Sequence, residues 1–374
     1  MTYNYVATCL FGLEHLLGEE IDALGYKRRE TIDGRVFFTG DENAAARCNI
    51  WLRYAERLYI EVGSCAAESF SDLFDGVAAM PWENYIGYDD KFPVRGHSIK
   101  SKLFSVPDCQ RIIKKSIANR LLAAHRTDIL PETGILFQVD FFIFRDRAYL
   151  MIDTSGTPLH KRGYRPASVS APLRETLAAS LAKLSRPREE VLFWDPFCGS
   201  GTIAIEAAMI MKNIAPGANR HFSAEVFPFI PESAWRLARE EAKDSVKNTK
   251  FEAYASDIDP SSIEIASENV RRAGVGDIVR TFVRDALTIE TGGRRGTIVT
   301  NPPYGERIST ISEVEELYRR MGEHFKTLDR WQIYILTSHE NFERLYGARA
   351  DKVRKLYNGM IPCYFYQYFK QKKQ

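Results

Sequence analysis

Apolar positions change period along this chain, and the changes divide it. In residues 1–60, strand-like "YNYVATC" is followed by "GLEHLLGEEIDALG" and then "RVFFTG". Leu13, Leu16, Leu17, Ile21 and Leu24 recur at helical spacing and Gly25 suits a C-cap, so the segment reads β-α-β. Next come a helix "ENAAARCNIWLRYAE", a strand "RLYIEVG", a helix around "SFSDLFDGVAAM", a strand "KFPVRGHSIK" and a helix "DCQRIIKKSIANRLLAAH". That last helix is expected to start after Pro107 with Asp108 as its N-cap. Two strands, "GILFQVDFFIF" and "RAYLMIDTS", meet at the turn Arg145–Asp146. "GTPLHKRGYRPASVSAP", with its glycine, prolines and basic groups, marks the main boundary.

From residue 170 helix and strand alternate. The helices are "APLRETLAASLAKL", "TIAIEAAMIMKNI", "SSIEIASENVRRAG" and "VEELYRRMGEHFKTL". The strands are "EEVLFWD", "FEAYASD", "VRTFVRD", "TIVTNPP" and "WQIYILTS". Such units predict a mainly parallel, doubly wound α/β sheet. The closing pair "DKVRKLYNG" and "PCYFYQYFK" would give it an antiparallel edge. Trp235 lies in an insertion between the first two strands of this half, where packing is the expected role.

Length changes this picture little: 374 residues imply two or three domains. Apolar content of 45% and charged content of 27% describe an ordinary globular protein. No apolar run reaches membrane-span length, and the start meets Glu14 without a basic leader, so neither a membrane anchor nor a signal peptide is expected. Six scattered cysteines without a C-x-x-C pair give no disulfide framework or zinc site, and point to a reducing cytoplasm. The seven histidines have no metal spacing, so no metal is expected.

Charge adds more. The net +2 conceals −9 over residues 1–90, +8 over 91–166 and +3 over the rest. A concentrated basic segment suits a polyanion, although a solvated charged surface has the same count.

"FWDPFCGSGTIA" sets Asp195 at a strand end, followed by Gly199 and Gly201 before a helix. Glycine admits close backbone approach and the helix start favours anionic groups. Residues 199–204 also satisfy G-x-G-x-x-A, but the next strand-end acid, Asp257, lies too far on for a nicotinamide dinucleotide. Asp195 ahead of the glycines better matches a ligand bearing an ammonium group. Asp257 can accept both hydroxyls of a ribose, with Ile258 against an adenine face. Asp285 can accept from the adenine amino group. Each acid alone could be a helix N-cap; three strand-end acids in one sheet are harder to explain that way. In Asn301-Pro302-Pro303-Tyr304, the Asn301 side-chain oxygen and the Pro302 carbonyl can converge on an exocyclic amino group, and Tyr304 offers a stacking face. The motif does not choose among adenine, cytosine and guanine.

"DPFCGSGT", "SDIDP", "RDA" and "NPPYGER", in this order, resemble the motifs of class I S-adenosylmethionine-dependent methyltransferases acting on a base amino group, over residues 165–374. "HKRGYR" with "APLRETLAA" narrows the resemblance to the THUMP-domain RNA methyltransferases, and "KSKLFSVPDCQRIIKKSIANRL" resembles a THUMP core. The resemblance implies a ferredoxin-like segment at 1–62, a THUMP domain at 63–165 and a Rossmann-like methyltransferase domain at 166–374. It implies cofactor contacts from Asp195, Phe197, Cys198, Gly199, Ser200, Gly201, Thr202, Asp257, Ile258, Asp285 and Ala286, and catalysis by Asn301, Pro302 and Tyr304. Structured RNA would lie along Lys100, Lys102, Arg111, Lys114, Lys115, Arg120, Lys161, Arg162 and Arg165. The implied reaction is guanine-N2 methylation, with 23S ribosomal RNA the first expectation and transfer RNA the alternative. Some relatives fuse a second methyltransferase domain; this chain ends after one, so a second activity is not expected. A DNA adenine-N6 methyltransferase would share the four-residue motif, and a non-catalytic RNA-binding factor could keep the pocket. The basic N-terminal module argues against the first; intact Asn301 and Tyr304 argue against the second.

Overall fold

In a computed structural model, residues 2–165, 173–304 and 310–369 are described. Ala171 and Pro172 of the first expected catalytic-domain helix, Gly305–Arg307 of the "NPPYGER" motif and Lys370 of the last expected strand lie outside the described residues. The chain divides into two compact units. The first comprises residues 1–9, 17–159 and 221–240, and the second residues 10–16, 160–220 and 241–374.

The N-terminal elements are β1 (Tyr3–Thr8), α1 (Glu14–Ala23), β2 (Lys27–Ile32), β3 (Arg35–Gly40), α2 (Glu42–Trp51), β4 (Arg57–Ala66), α3 (Phe70–Ala78), β5 (Val94–Ile99), α4 (Val106–His125), β6 (Val139–Phe144) and β7 (Arg147–Asp153). Their strands form one seven-stranded sheet in the order β2-β3-β1-β4-β7-β6-β5, antiparallel except for β5 with β6. β4 runs through residue 62, where the ferredoxin-like segment was expected to end, and pairs with β1 on one side and β7 on the other. β2 had no expectation behind it. Its sequence, KRRETI, has no alternating apolar face, because it is an exposed edge strand held by pairing with β3. Capping fixes the helix starts: Asp41 accepts from the Ala44 amide before α2, and Ser69 with Asp72 closes a capping box on α3. Asp108 is not the N-cap of α4. The helix starts at Val106, Pro107 lies in its first turn where no amide is needed, and Ser105 takes the cap position. Arg145 and Asp146 both have positive φ, as a tight hairpin turn demands.

The insertion carrying Trp235 belongs to this first unit. Phe227 stacks on Phe137 with ring centroids 4.4 Å apart, and Phe229 meets Tyr3, Tyr85 and Phe137. Trp235 is buried and stacked on Phe222 at 5.4 Å. Packing is what this aromatic strap does.

The remaining elements are α5 (Glu175–Leu184), β8 (Leu192–Asp195), α6 (Thr202–Met211), α7 (Glu232–Asp244), β9 (Ala253–Asp257), α8 (Pro260–Arg272), β10 (Val279–Val283), β11 (Gly296–Thr300), α9 (Ile311–Phe325), β12 (Trp331–Thr337), α10 (Phe342–Tyr346), β13 (Lys352–Asn358) and β14 (Ile361–Tyr368). The second sheet has the order β10-β9-β8-β11-β12-β14-β13, parallel through β12, with β14 and β13 antiparallel at the edge. This is the Rossmann-like doubly wound sheet with its closing hairpin. β8 and β11 are buried at every position, as central strands covered on both faces must be. α6 carries a single charged residue, Glu206, and is buried from Thr202 to Met209. On one face Trp194, Ile298, Ile333 and Ile335 pack against Tyr318, Met321 and Phe325 of α9.

Candidate active site at the strand ends

From β8 the chain steps outward through β9 and β10, then returns to lay β11 and β12 on the other side of β8. At such a reversal the loops leaving neighbouring carboxyl ends diverge and open a crevice. Asp195, Asp257 and Asn301 stand at the ends of β8, β9 and β11, and Asp285 just beyond β10.

Asp195 is 1% exposed. Its Oδ1 accepts from the Thr300 hydroxyl at 2.7 Å and from the Phe197 amide at 3.3 Å. Burial pushes its carboxyl up to about 7, although both hydrogen bonds pull the other way. Among the described residues no cation pairs with it. The loop after it is pinned at each step. The Cys198 amide donates to the Ser256 carbonyl at 3.0 Å, the Gly199 amide to Asp257 Oδ2 at 2.9 Å, and Asn269 Nδ2 to the Ser200 carbonyl at 3.0 Å. Gly199 and Gly201 have φ of +48° and +81°, which side chains resist. A Cβ on Gly201 would stand 3.2 Å from that of Ala266, a tight contact that α8 could relieve only by giving a few tenths of an ångström. Ser200 and Thr202 are buried with their hydroxyls 3.1 Å apart. Burial drives the Cys198 thiol well above its ordinary value, so it is no nucleophile.

Asp257 Oδ1 accepts from the Asp259 amide at 3.1 Å. It is Asp259 that caps α8. Beside Asp257, Ile258 is 68% exposed, and Val283, the register partner of Asp257 on β10, is 53% exposed. Two aliphatic side chains in water at adjoining strand ends suit a flat aromatic ligand. Asp285 caps the short turn through buried Ala286, accepting at Oδ1 from the Leu287 amide at 2.9 Å.

Asn301 Oδ1 is buried and has no hydrogen-bond partner among the described residues. Leaving such an acceptor unmet costs about 1–3 kcal/mol. The surroundings impose it: Thr300 is tied to Asp195, and the Pro303 carbonyl accepts from Tyr318 Oη at 2.8 Å, itself 2.9 Å from Thr337 Oγ1. Pro302 is buried. The Tyr304 hydroxyl accepts from Asn358 Nδ2 at 3.1 Å. Thr300, Tyr318 and Asn358 had no signal of their own in the sequence; only adjacency to Asn301 could have raised Thr300.

The expected basic surface is altered. Arg162 is buried beside Glu206 at 3.6 Å, where Tyr164 Oη also donates at 3.1 Å. Arg165 pairs with Glu175 at 3.0 Å and donates to Thr202 Oγ1 at 3.0 Å. Both arginines are therefore interior ties of the second unit, one of them to the glycine loop. Lys161 is exposed. In the first unit Lys102 pairs with Glu68 and Lys114 with Glu132, each at 2.7 Å, while Arg111 pairs with Asp108 and Arg120 with Glu83. Lys100 and Lys115 have no ion pair among the described residues, and Lys115 is exposed.

A doubly wound parallel sheet with a glycine loop after its first strand and an antiparallel closing hairpin is the class I methyltransferase architecture. Residues 162–367 match the family described as UPF0020, the RMKL-like methyltransferase domain, residues 4–59 the RlmL ferredoxin-like domain and residues 67–153 the THUMP domain. The chain belongs to this RMKL-like methyltransferase family. It is 44% identical to "Putative RNA methyltransferase YpsC" of Bacillus subtilis (strain 168) over 98% of this chain and 96% of that protein. It is 32% identical to the ribosomal RNA large subunit methyltransferase K/L of Psychromonas ingrahamii over 98% of this chain, and spans about half of that protein's length (50%). Among solved structures, SMU.472 complexed with SAH superposes with a TM-score of 0.92 at 40% identity, covering 100% of this chain and 99% of that one. A Listeria monocytogenes str. 4b F2365 protein described as a "predicted N6-adenine-specific DNA methylase" does so at 0.92 and 45% identity, covering 99% and 97%.

The residues present fit S-adenosylmethionine. Among the described residues Asp195 is a buried carboxyl that no cation pairs, Gly199 and Gly201 hold positive φ in the loop that leads into α6, and Ile258 and Val283 offer apolar surface beside Asp257. Among the described residues there is no metal-binding cluster, and no helix is long and apolar enough to cross a membrane.

Proposed function

We propose that this protein is an S-adenosylmethionine-dependent RNA methyltransferase that methylates the N2 amino group of a guanosine, with 23S ribosomal RNA its substrate. In this reading residues 63–165 bind RNA, residues 166–374 catalyse, and the protein works in the cytoplasm. One observation carries the amino-group chemistry: Asn301 Oδ1 is buried and has no hydrogen-bond partner among the described residues, between neighbours Thr300 and Pro303 that are each tied by a hydrogen bond. An acceptor held that way is satisfied by an incoming N–H. The names of the Bacillus subtilis and Psychromonas ingrahamii relatives and the THUMP match support RNA, against the DNA-methylase name of the Listeria monocytogenes structure.

Bound S-adenosylmethionine supplies a sulfonium-activated methyl group. Asp195 accepts from the cofactor's ammonium, Asp257 from its ribose hydroxyls and Asp285 from the adenine amino group. Ile258 and Val283 flank the adenine. The target base leaves its stack, at a cost of a few kcal/mol, least where it is already unpaired. Asn301 Oδ1 and the Pro302 carbonyl then accept from its amino group and turn the nitrogen lone pair toward the methyl, and Tyr304, anchored by Asn358, stacks on the ring.

Purified protein with labelled cofactor is offered in-vitro-transcribed 23S ribosomal RNA, transfer RNA and duplex DNA separately. N2-methylguanosine from 23S RNA is the expected product; N6-methyladenine in DNA, or no transfer to any of them, overturns the reading. Asn301→Ala should lower transfer by about 10²–10³-fold with SAH affinity within about twofold of the parent by calorimetry.

A further inference from the structure

The hairpin of β13 and β14 is not used by the chemistry above except through Asn358. β13 is an edge strand, paired only with β14. Lys352 and Lys355 are exposed, and neither these nor Arg354 has an ion pair among the described residues. Arg354 Nε is buried and without a hydrogen-bond partner there. Gly359, with φ of +66°, turns the chain so that Met360 stands at the tip, 94% exposed. Tyr357 meets Phe11 edge-on at 5.8 Å, Phe11 being 47% exposed, and Lys355 Nζ lies 5.6 Å from the same tyrosine ring. Lysine on an edge strand also deters strand-to-strand association, and that accounts for Lys352 and Lys355. It leaves unexplained a methionine in full solvent, two residues from an asparagine that holds the active-site tyrosine.

We propose that this hairpin is the RNA-contacting surface of the catalytic unit. Lys352, Arg354 and Lys355 take phosphates flanking the target nucleotide, and Met360 enters the stack where the extruded base has left a gap. An apolar wedge of this kind stabilises a distorted nucleic acid, and the cations hold the strand in register with Asn301. The partner class, RNA, rests on the function proposed above.

Two measurements on the full-length protein test it. Filter binding of in-vitro-transcribed 23S RNA across a potassium chloride series reads the cations. Lys352→Ala with Lys355→Ala should flatten the slope of log affinity against log salt by about 1.4, at roughly 0.7 per phosphate contact, with SAH affinity and Tm unchanged. Single-turnover transfer at saturating RNA reads the wedge. Met360→Gly should slow transfer by about tenfold while RNA affinity stays within about twofold, and Met360→Leu should restore the rate. An unchanged salt slope, an unchanged Met360→Gly rate, or tighter binding of duplex DNA than of RNA through the same lysines overturns the proposal. The binding measurement needs no methyl transfer, so a protein that grips RNA through the hairpin yet methylates nothing refutes the enzymatic reading and leaves the hairpin's RNA contact standing.

Discussion

Two basic stretches of this chain rank one way in a charge count and differ in the fold. Residues 91–165 carry most of the charge contrast in the sequence, yet Lys102, Arg111, Lys114 and Arg120 each face a carboxylate and Arg162 and Arg165 are interior, which leaves Lys100 and Lys115 unpaired among the described residues of the expected RNA surface there. Glu68 and Glu83, two of the carboxylates that match them, come from the acidic first ninety residues, so the −9 and +8 segments partly cancel within one unit. β13 is unremarkable in a charge count and keeps Lys352, Arg354 and Lys355 free of ion pairs among the described residues. Charge available to a polyanion is what remains after the fold has paired its own groups. An exposed ion pair contributes only about 0–1 kcal/mol, so phosphate can still displace it, but each exchange returns less than a free lysine does.

The largest test of this contrast is Arg162→Ala. Arg162 and Glu206 are both buried, and removing the guanidinium takes a cation from beside a buried carboxylate to which Tyr164 Oη still donates, which costs up to about 3–5 kcal/mol. Urea denaturation should show a loss of that size in the extrapolated unfolding free energy, read as a lower midpoint at an unchanged slope. A variant as stable as the parent that has lost RNA affinity would return Arg162 to the surface role read from the sequence.

The same contrast says what a sequence can and cannot disclose. The strand ends were legible because their chemistry is written locally: glycines need their special φ, prolines stiffen the turn after Asn301, and acids stop hydrophobic runs. The alternation of helix and strand was legible because burial imposes a period. Partners distant in sequence were not. Nothing near Arg162 announces Glu206, and nothing near Tyr304 announces Asn358, 54 residues later. β2 escaped because an exposed edge strand carries no apolar alternation, and the cap of α4 was misplaced because Asp108, a good N-cap residue, stands next to a proline that the first helical turn accommodates.

A second test concerns a buried carboxyl of the catalytic unit that no cation pairs among the described residues. Asp195 stays protonated up to about pH 7 in the free protein, while unfolded it ionises near 3.8. The folded state therefore holds the extra proton between these values, and the stabilising contribution is fully present below about 3.8 and lost as pH rises through 7. Cofactor binding runs in the opposite sense, because an ammonium needs the carboxylate. SAH affinity should rise by up to about tenfold per pH unit from 5 to 7 and level off above. Calorimetry on the parent and Asp195→Asn isolates this group from Asp140, which burial pushes up to about 6. A slope that survives in Asp195→Asn would assign the ammonium to another residue.

The smallest effect is the sharpest for the comparison itself. Lys114→Ala with Arg120→Ala removes two cations from α4, whose carboxylate partners Glu132 and Glu83 stay behind. If those pairs hold in solution, the salt slope of 23S RNA binding should fall by less than about 0.7, under half the change expected for the same number of lysines on β13. The freed carboxylates add local repulsion toward RNA, so affinity should drop more than the slope does. A slope change equal to that of the hairpin pair would mean that RNA strips the carboxylates away. Ion pairing in the free protein would then be no guide to which cations meet the substrate, and the charge contrast read from the sequence would regain its weight.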